Sequence, residues 1–158
     1  MTDDAFQDAP QLRTQADYQF GRGAGDALFP PDDDLTVKRT SSGRPEQILA
    51  DAGRLVSYGT DGRFTLGIEG GRRLADAFEE PTGRVVVGDD SEPFVRDGKN
   101  VFAKFVREAD GAIRPGDEVL VTHYEGHLLA VGRAELAAEA MLDFDSGMAV
   151  AVRDGAGE

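Results

Sequence analysis

The stretch that decides the fold covers residues 85–106 and reads VVVGDDSEPFVRDGKNVFAKFV. Its first residues, Val85–Val87, form a short apolar run between turn residues, which is typical of a strand buried on both faces. The Asp-Asp-Ser run that follows, with Pro93 just behind it, predicts a helical turn over Glu92–Asp97, because Pro is favoured in the first turn of a helix. Gly98 then permits a sharp change of direction. The stretch therefore predicts a strand, a helical turn, a glycine loop and another strand in close succession.

The segments after this stretch continue as short strands with one further helix. Val101–Val106 alternates as a strand whose first, third and fifth residues share one face. The other predicted elements are a hairpin of Glu118–Thr122 and Leu128–Arg133, a helix over Glu135–Phe144 and a last strand over Met148–Val152. The second half of the chain is thus predicted to be a small α+β module with a strand-rich sheet.

The first half predicts a helix followed by an antiparallel meander. Its helix covers Gln11–Phe20, where apolar residues recur at four-residue spacing. Strands are predicted at Leu35–Arg39, Glu46–Ala50, Arg54–Tyr58 and Arg63–Ile68, and a short helix at Gly71–Phe78. Glycine turns recur between the strands at hairpin spacing, which predicts that neighbouring strands pair antiparallel.

A segment with Pro and Gly, Glu79–Gly83, is the predicted linker, because the strand pattern restarts after it. The first ten residues are polar, and we predict them to be disordered. The predicted organisation is a disordered start at 1–10, a small α+β module at 11–80, a second module at 81–155 and a tail at 156–158.

Acidic residues dominate the composition. Among 158 residues, 30 are acidic and 17 are basic, which gives a formal net charge of −13. Nineteen of the acids are Asp and only three of the bases are Lys, a bias that resembles the proteins of extreme halophiles. At 1 M salt the Debye length falls to about 3 Å, so these charges barely repel one another. At low salt the same charge opposes compaction.

The basic residues are concentrated in two islands. Residues 1–34 carry eight acids against two bases, but residues 35–75 carry seven bases against four acids. Residues 94–114 carry five bases against three acids. These islands are either ordinary exposed strand charges or surfaces for an anionic partner.

Composition excludes several classes of protein. The chain has no cysteine, which removes disulfide scaffolds, cysteine-bound zinc and thiol nucleophiles. No run approaches the roughly 18 apolar residues of a transmembrane helix, and the acidic N-terminus lacks a basic-then-apolar signal pattern. We therefore expect a cytoplasmic protein with no membrane partner.

No catalytic constellation stands out in the sequence. The glycine-rich segment Gly21–Asp26 lacks both the preceding strand and the third glycine of a dinucleotide-binding loop. His123 and His127 flank a predicted hairpin turn with Glu125 between them, a spacing open to a metal pair, but we expect two surface histidines of a turn. No catalytic residue, metal or cofactor is predicted.

The second half contains the segments Val85–Val87, Pro93–Val106, Ile113–Val121, Leu128–Ala134 and Gly147–Arg153. In that order and spacing they resemble a PUA domain, the small pseudobarrel RNA-binding module of enzymes that modify tRNA and rRNA. The resemblance covers residues 82–155.

In the first half, Tyr18–Ala24, Lys38–Arg44 and Asp61–Leu66 resemble the small module before the PUA domain in archaeal tRNA-guanine transglycosylases and the related archaeosine synthases. In the transglycosylase a catalytic barrel with a cysteine-bound zinc comes first, and this sequence has no counterpart of it. The resemblance therefore implies the part that docks on tRNA without the chemistry, and we do not expect an enzyme. It implies an α+β fold, a small α/β module with an antiparallel sheet followed by a PUA-like β pseudobarrel.

The resemblance also implies which residues contact RNA, since PUA domains of this family grip the acceptor stem and the unpaired 3′ end of tRNA. Carried onto this sequence, the implied RNA-binding residues are Arg96, Gly98, Lys99, Asn100, Phe102, Lys104 and Arg153. Arg and Lys suit phosphates, and an exposed Phe102 suits an unpaired base. The alternatives are that Phe102 is a core residue, that Gly98 only turns the chain and that Lys104 is a solvated strand residue.

The function implied by the resemblance is that of an RNA-binding accessory protein that docks on tRNA. Its expected partner is a tRNA-guanine transglycosylase or archaeosine synthase acting in trans. Two alternatives stay open: a protein-interaction module with a PUA-like fold, which the net charge favours, and a separately encoded subunit of a split enzyme.

Stability is predicted to increase with salt. Because screening removes the self-repulsion of a net charge of −13, we expect the Tm to rise when KCl is raised from about 0.1 to about 3 M. Thermal unfolding followed by circular dichroism measures this. A Tm that is the same at both ends of the KCl series would contradict the halophilic interpretation.

Overall fold

The computed structural model describes residues 2–59, 61–79 and 82–157, with side chains from residue 10 onward. The chain divides into two units, residues 1–77 and 78–158. For residues 2–9 the structure describes the backbone but not the side chains. The predicted disorder of segment 1–10 therefore stays a prediction. The predicted boundary between residues 80 and 81 lies outside the described residues and stays a prediction.

In its described residues, the first unit combines three helices with a four-stranded sheet. Its elements are α1 (Thr2–Phe20), α2 (Ala24–Leu28), β1 (Thr36–Arg39), β2 (Pro45–Ala50), β3 (Gly53–Tyr58), β4 (Phe64–Leu66) and α3 (Ile68–Ala77). The strands follow one another in the order β1-β2-β3-β4, and each pairs antiparallel with the next. The predicted meander is confirmed.

The core of the first unit lies between its sheet and its helices. Phe64 and Leu66 are both 1% exposed, as expected for alternate residues on the inner face of a strand. The Phe64 ring meets Phe29 edge-on, with the ring centroids 5.9 Å apart. Leu12 and Ala16, one helical turn apart on α1, are buried as well. The four-residue spacing of the sequence therefore identified the inner face of α1.

The part of the second unit that the structure describes is a six-stranded sheet with two short helices and one 3₁₀ turn. Its elements are β5 (Arg84–Val87), α4 (Glu92–Arg96), β6 (Val101–Phe102), the 3₁₀ turn (Ala103–Phe105), β7 (Val106–Ala109), β8 (Glu118–His123), β9 (Leu128–Ala134), α5 (Ala138–Asp143) and β10 (Met148–Gly155). The strand order is β6-β10-β9-β8-β5-β7. Because the two end strands, β6 and β7, are joined by the 3₁₀ turn alone, the sheet curls into a nearly closed barrel. The predicted α+β fold with a β pseudobarrel is confirmed.

Strand β5 is the most deeply buried element of the second unit. It pairs parallel with β8 on one side and antiparallel with β7 on the other. All of its residues are buried, and Val85 and Val87 have no exposed surface. The prediction of a strand buried on both faces is confirmed.

The prediction of one continuous strand over Val101–Val106 is wrong. The chain pairs with β10 through β6, turns at the 3₁₀ segment, and then pairs with β5 through β7. A straight strand cannot reach both partners, since β10 and β5 are separated by two strands in the sheet order. Phe105, expected on the same face as Val101 and Ala103, is consequently 40% exposed, whereas those two residues are buried.

The helix predicted from Glu135 begins three residues later, at Ala138, and ends at Asp143. Its Met141 has no exposed surface, and the neighbouring Leu142 is 51% exposed. Among the described residues, no helix has both the length and the apolar composition that crossing a membrane requires.

Adjacent residues of α5 provide a matched test of the core. We expect Met141→Ala to lower the free energy of unfolding by about 2–5 kcal/mol, because it leaves a cavity among buried side chains. The exposed Leu142→Ala should change it by no more than about 0.5 kcal/mol. Denaturant unfolding at constant high KCl measures both variants. Equal losses of stability in the two variants would contradict the packing described for α5.

Candidate nucleic-acid interface

Helix α4 presents an aromatic side chain to solvent. Pro93 lies in its first turn, a position where its missing N–H costs no hydrogen bond. Val95 is 1% exposed and anchors the helix in the core, and Phe94 is 60% exposed. Successive residues of a helix point about 100° apart, so burial of Val95 leaves Phe94 on the outer surface.

The glycine loop after α4 closes the end of the helix with two backbone hydrogen bonds. The Gly98 N–H donates to the Val95 carbonyl over 3.0 Å, and the Lys99 N–H donates to the Phe94 carbonyl over 3.0 Å. Gly98 has a φ of +92°, a conformation that other residues rarely adopt. A Cβ at this position would meet no atom within 4 Å. The backbone conformation is therefore what requires glycine, and the outer side of the loop is open.

Three phenylalanines line one cavity beside this loop. The aromatic pocket, as we call it, is lined by Asp90, Ser91, Phe94, Val95, Lys99, Asn100, Val101, Phe102 and Phe105, and its volume is about 380 Å³. Phe102 is 46% exposed and Phe105 40% exposed. Phe102 is therefore not a core residue, and its ring is accessible to a flat ligand.

Two lysines lie at this part of the surface without a carboxylate partner. Within the described part of the chain, neither Lys99 nor Lys104 forms an ion pair. The ammonium group of Lys104 lies 5.1 Å from the centroid of the Phe105 ring, a cation–π distance. Since the whole chain has only three lysines, two of them next to one apolar pocket are a marked local concentration of positive charge.

Three arginines of the second unit are engaged with carboxylates instead. The Nε of Arg96 donates to Glu92 over 2.9 Å, and its Nη1 donates to the Gly157 carbonyl over 3.2 Å. Arg133 pairs with Glu135 over 3.0 Å, and Arg153 pairs with both carboxylate oxygens of Glu118. The predicted contribution of Arg96 to a phosphate site therefore competes with an existing ion pair.

Asn100 holds the loop against the last strand. Its Oδ1 accepts a hydrogen bond from the Val152 N–H over 2.9 Å. The next residue of β10, Arg153, directs its guanidinium to Glu118 on β8. Because β8 and β6 lie on opposite sides of β10 in the sheet order, this side chain points away from the aromatic pocket. The structure thus brings together the predicted residues from Arg96 to Lys104 and leaves Arg153 apart.

Two aromatic residues of the pocket, Phe94 and Phe105, were not among the predicted site residues. A signal for Phe94 was available, since the burial of Val95 on a one-turn helix requires its neighbour to face elsewhere. No such signal existed for Phe105, whose exposure follows from the break between β6 and β7.

The turn between β8 and β9 differs from the prediction of two surface histidines. His127 is 54% exposed, but His123 is only 1% exposed. Tyr124, next to His123, has the Arg107 guanidinium 4.7 Å from its ring centroid. The negative charge of Asp89 raises the pKa of the Tyr124 phenol above its usual value. The burial of His123 follows from strand pairing, since His123 lies opposite the buried Val87 in the β5–β8 register.

Two protein-family models match this chain. Residues 10–81 match the patch-forming domain C2 of tRNA-guanine transglycosylase, and residues 83–156 match the PUA domain. The chain is therefore similar to PUA-domain proteins over its second half, and the part before it is similar to the C2 domain of tRNA-guanine transglycosylase.

Curated relatives are similar to almost the whole of this chain. The tRNA-guanine(15) transglycosylase of Thermococcus kodakarensis is 49% identical over 141 residues, covering 89% of this chain and 24% of the relative. The protein of the same name from Methanothermobacter thermautotrophicus is 43% identical over 150 residues, covering 94% of this chain and 23% of the relative. The chain thus resembles the C-terminal module of archaeal tRNA-guanine(15) transglycosylases and spans about a quarter of their length. The predicted resemblance is confirmed.

Solved structures share the fold. A hypothetical protein from Pyrococcus horikoshii superposes with a TM-score of 0.75 at 24% identity, covering 96% of this chain and 92% of that chain. A conserved PUA domain protein from Thermoplasma acidophilum superposes with a TM-score of 0.63 at 22% identity, covering 96% and 91%. Both support the α+β fold with a PUA pseudobarrel.

The loop conformation yields a direct test. We expect Gly98→Ala to lower the free energy of unfolding by roughly 1–2 kcal/mol, because an alanine with a positive φ places its Cβ against the following carbonyl. Gly111→Ala is the matched control, because a Cβ at Gly111 would also meet no atom within 4 Å, but Gly111 has no positive φ. Denaturant unfolding at high KCl compares the two. If Gly98→Ala is as stable as Gly111→Ala, the loop conformation described above is wrong.

Proposed function

We propose that this protein is an RNA-binding accessory module that docks on tRNA through the glycine loop and the aromatic pocket. The observation that carries the proposal is the combination of three exposed phenylalanine rings with two unpaired lysines in a protein of net charge −13. A nucleotide joins a flat base to a negatively charged phosphate. Unpaired bases stack on aromatic side chains, and lysines contact phosphates. The match to the PUA domain supports the same assignment.

The binding mode follows from the chemistry of the pocket. A base enters against Phe94 or Phe102, and its phosphates lie towards Lys99 and Lys104. Duplex RNA offers few accessible base faces, so the pocket favours an unpaired end over a stem. Within the tRNA, the proposed contact is therefore the single-stranded 3′ end, next to the acceptor stem. Gly98, open on its outer side, lets a phosphate backbone approach the loop.

The salt concentration at which the protein works decides which interactions provide the affinity for RNA. Each phosphate contact normally contributes a slope of about −0.7 for single strands in a plot of log affinity against log salt. We propose that the protein works in molar salt, as its acidic composition predicts, where that contribution is small. Stacking on aromatic rings, at about 1–3 kcal/mol per base, does not depend on counterion release. We therefore infer that stacking provides most of the affinity.

We further propose that the module has no catalytic activity of its own and acts in the cytoplasm with a tRNA-guanine transglycosylase or archaeosine synthase in trans. The similarity to about a quarter of the transglycosylase sequence supports this arrangement. A separately encoded subunit of a split enzyme is the second candidate, and the same partial coverage favours it. Co-purification distinguishes the two, because a split-enzyme subunit stays bound to its catalytic partner in the absence of RNA.

The test is a binding titration with the full chain in multi-molar KCl. Intact tRNA and tRNA trimmed of its unpaired 3′ end are compared for wild type, Phe102→Ala and Lys99→Ala. Loss of one stacked base predicts that Phe102→Ala weakens the binding of intact tRNA by roughly 5- to 150-fold. The same substitution should leave the weaker binding of trimmed tRNA unchanged.

Phe144→Ala is the matched control, since Phe144 is 50% exposed and does not line the aromatic pocket. It should bind intact tRNA as wild type does. If wild type binds neither RNA, the protein-interaction alternative replaces the proposal. If Phe102→Ala and Phe144→Ala bind intact tRNA equally well, the pocket is not the binding site.

A further inference from the structure

The turn between β8 and β9 places three metal-ligating side chains on one side of the hairpin. The hairpin cluster, as we call it, consists of His123, Glu125 and His127. The backbone N–H of His123 donates to the His127 carbonyl over 2.9 Å, and the backbone N–H of Gly126 donates to the His123 carbonyl over 2.8 Å. These bonds hold the two histidines as a cross-strand pair. Their rings are stacked, with an angle of 25° between them and 5.5 Å between their centroids.

The hydrogen bonds of His123 determine which of its nitrogens carries the proton. Its Nδ1 accepts the Glu125 N–H over 3.1 Å, and a backbone N–H can only donate. The proton of the neutral ring is therefore on Nε2, which donates to Asp89 Oδ1 over 2.6 Å. The lone pair of Nδ1 consequently points towards the Glu125 amide. Histidines that bind metals commonly donate their other N–H to a carboxylate in this way.

The distances within the hairpin cluster suit a small divalent cation. Glu125 Oε1 lies 3.6 Å from His123 Nδ1 and 3.8 Å from His127 Nε2. The ligand atoms of all three residues lie within 4.8 Å of one another. With bonds of about 2.1 Å to zinc, two ligands of a tetrahedral site are about 3.4 Å apart. An ion between these side chains requires Glu125 to close by a few tenths of an ångström and the exposed His127 ring to rotate out of its stack on His123.

We propose that the hairpin cluster binds one Zn²⁺ through His123 Nδ1, Glu125 Oε1 and His127 Nε2. The fourth position faces solvent, because Glu125 is 63% exposed and His127 54% exposed. The ion takes the place of the Glu125 N–H on the lone pair of His123. Two nitrogens and one carboxylate are a ligand set that zinc accepts, whereas Ca²⁺ and Mg²⁺ prefer oxygen ligands alone.

A second set of ligand atoms lies close by, formed by Asp89, Glu92 and His123. In that set the histidine would have to bind through Nε2. Binding through Nε2 would move its proton to Nδ1 and so cost the hydrogen bonds to both Asp89 and the Glu125 amide, whereas binding through Nδ1 costs only the second. Asp89 is thus a positioning residue that orients the His123 ring.

The experiment is isothermal titration of untagged full-length protein with ZnCl₂ at high KCl, together with NMR of the backbone amides. Wild type should bind one Zn²⁺ per chain, and the Glu125 amide resonance should shift as its hydrogen bond to His123 is lost. Glu125→Gln and His127→Ala each remove an exposed ligand and should weaken binding at least tenfold. Asp89→Asn should weaken it by about 10- to 100-fold, as substitution of residues that orient metal ligands does.

Glu92→Gln is the matched control, since it alters the alternative set and leaves the hairpin cluster intact. It should bind Zn²⁺ as wild type does, and a circular dichroism melt of every variant checks that the fold is retained. The proposal is overturned if wild type binds no Zn²⁺ at one per chain. It is also overturned if Glu92→Gln weakens binding while Glu125→Gln and His127→Ala do not.

Discussion

The pairing of β5 with two strands at once is the constraint on which the second unit depends. Burying a valine side chain contributes about 1.5–3 kcal/mol, and β5 buries three in succession. Its parallel register with β8 sets Val87 opposite His123. The residues just after β5 are therefore held at the end of β8, where Asp89 meets His123. The β5–β8 register therefore also fixes where helix α4 and the glycine loop begin.

Three arginines and the two lysines of the second unit differ in whether a carboxylate neutralises them. In a chain with a large excess of carboxylates, an arginine readily finds an acidic neighbour, as Arg96, Arg133 and Arg153 do. A cation that stays unpaired in such surroundings is available to an outside anion. Lys99 and Lys104 have this property, and both lie beside exposed aromatic rings. Local chemistry, and not the net charge, therefore decides what such a surface binds.

Much of the fold was predictable from the sequence, because the deciding signals were local. The valine run of β5, the Pro-containing start of α4 and the alternation in β4 each specify their own conformation. The positions of Phe105, His123 and Arg153 were not predictable in this way. Each depends on a partner distant in the sequence: Phe105 on the change of strand partner, His123 on the β5 register and Arg153 on Glu118. Spacing alone contains no information about these pairings.

Residues 155–157, at and just after the end of β10, lie against Arg96, the last residue of α4. The Gly157 N–H donates to the Arg96 carbonyl over 3.0 Å, and Arg96 donates back to the Gly157 carbonyl. A Cβ at Gly155 would lie 2.3 Å from the Arg96 carbonyl oxygen, so only glycine lets the two segments lie this close. The glycine-rich end, whose residues 156–158 were predicted to form a tail, thus holds α4 in place. Any change that moves residues 155–157 therefore breaks hydrogen bonds at the end of α4, next to the glycine loop.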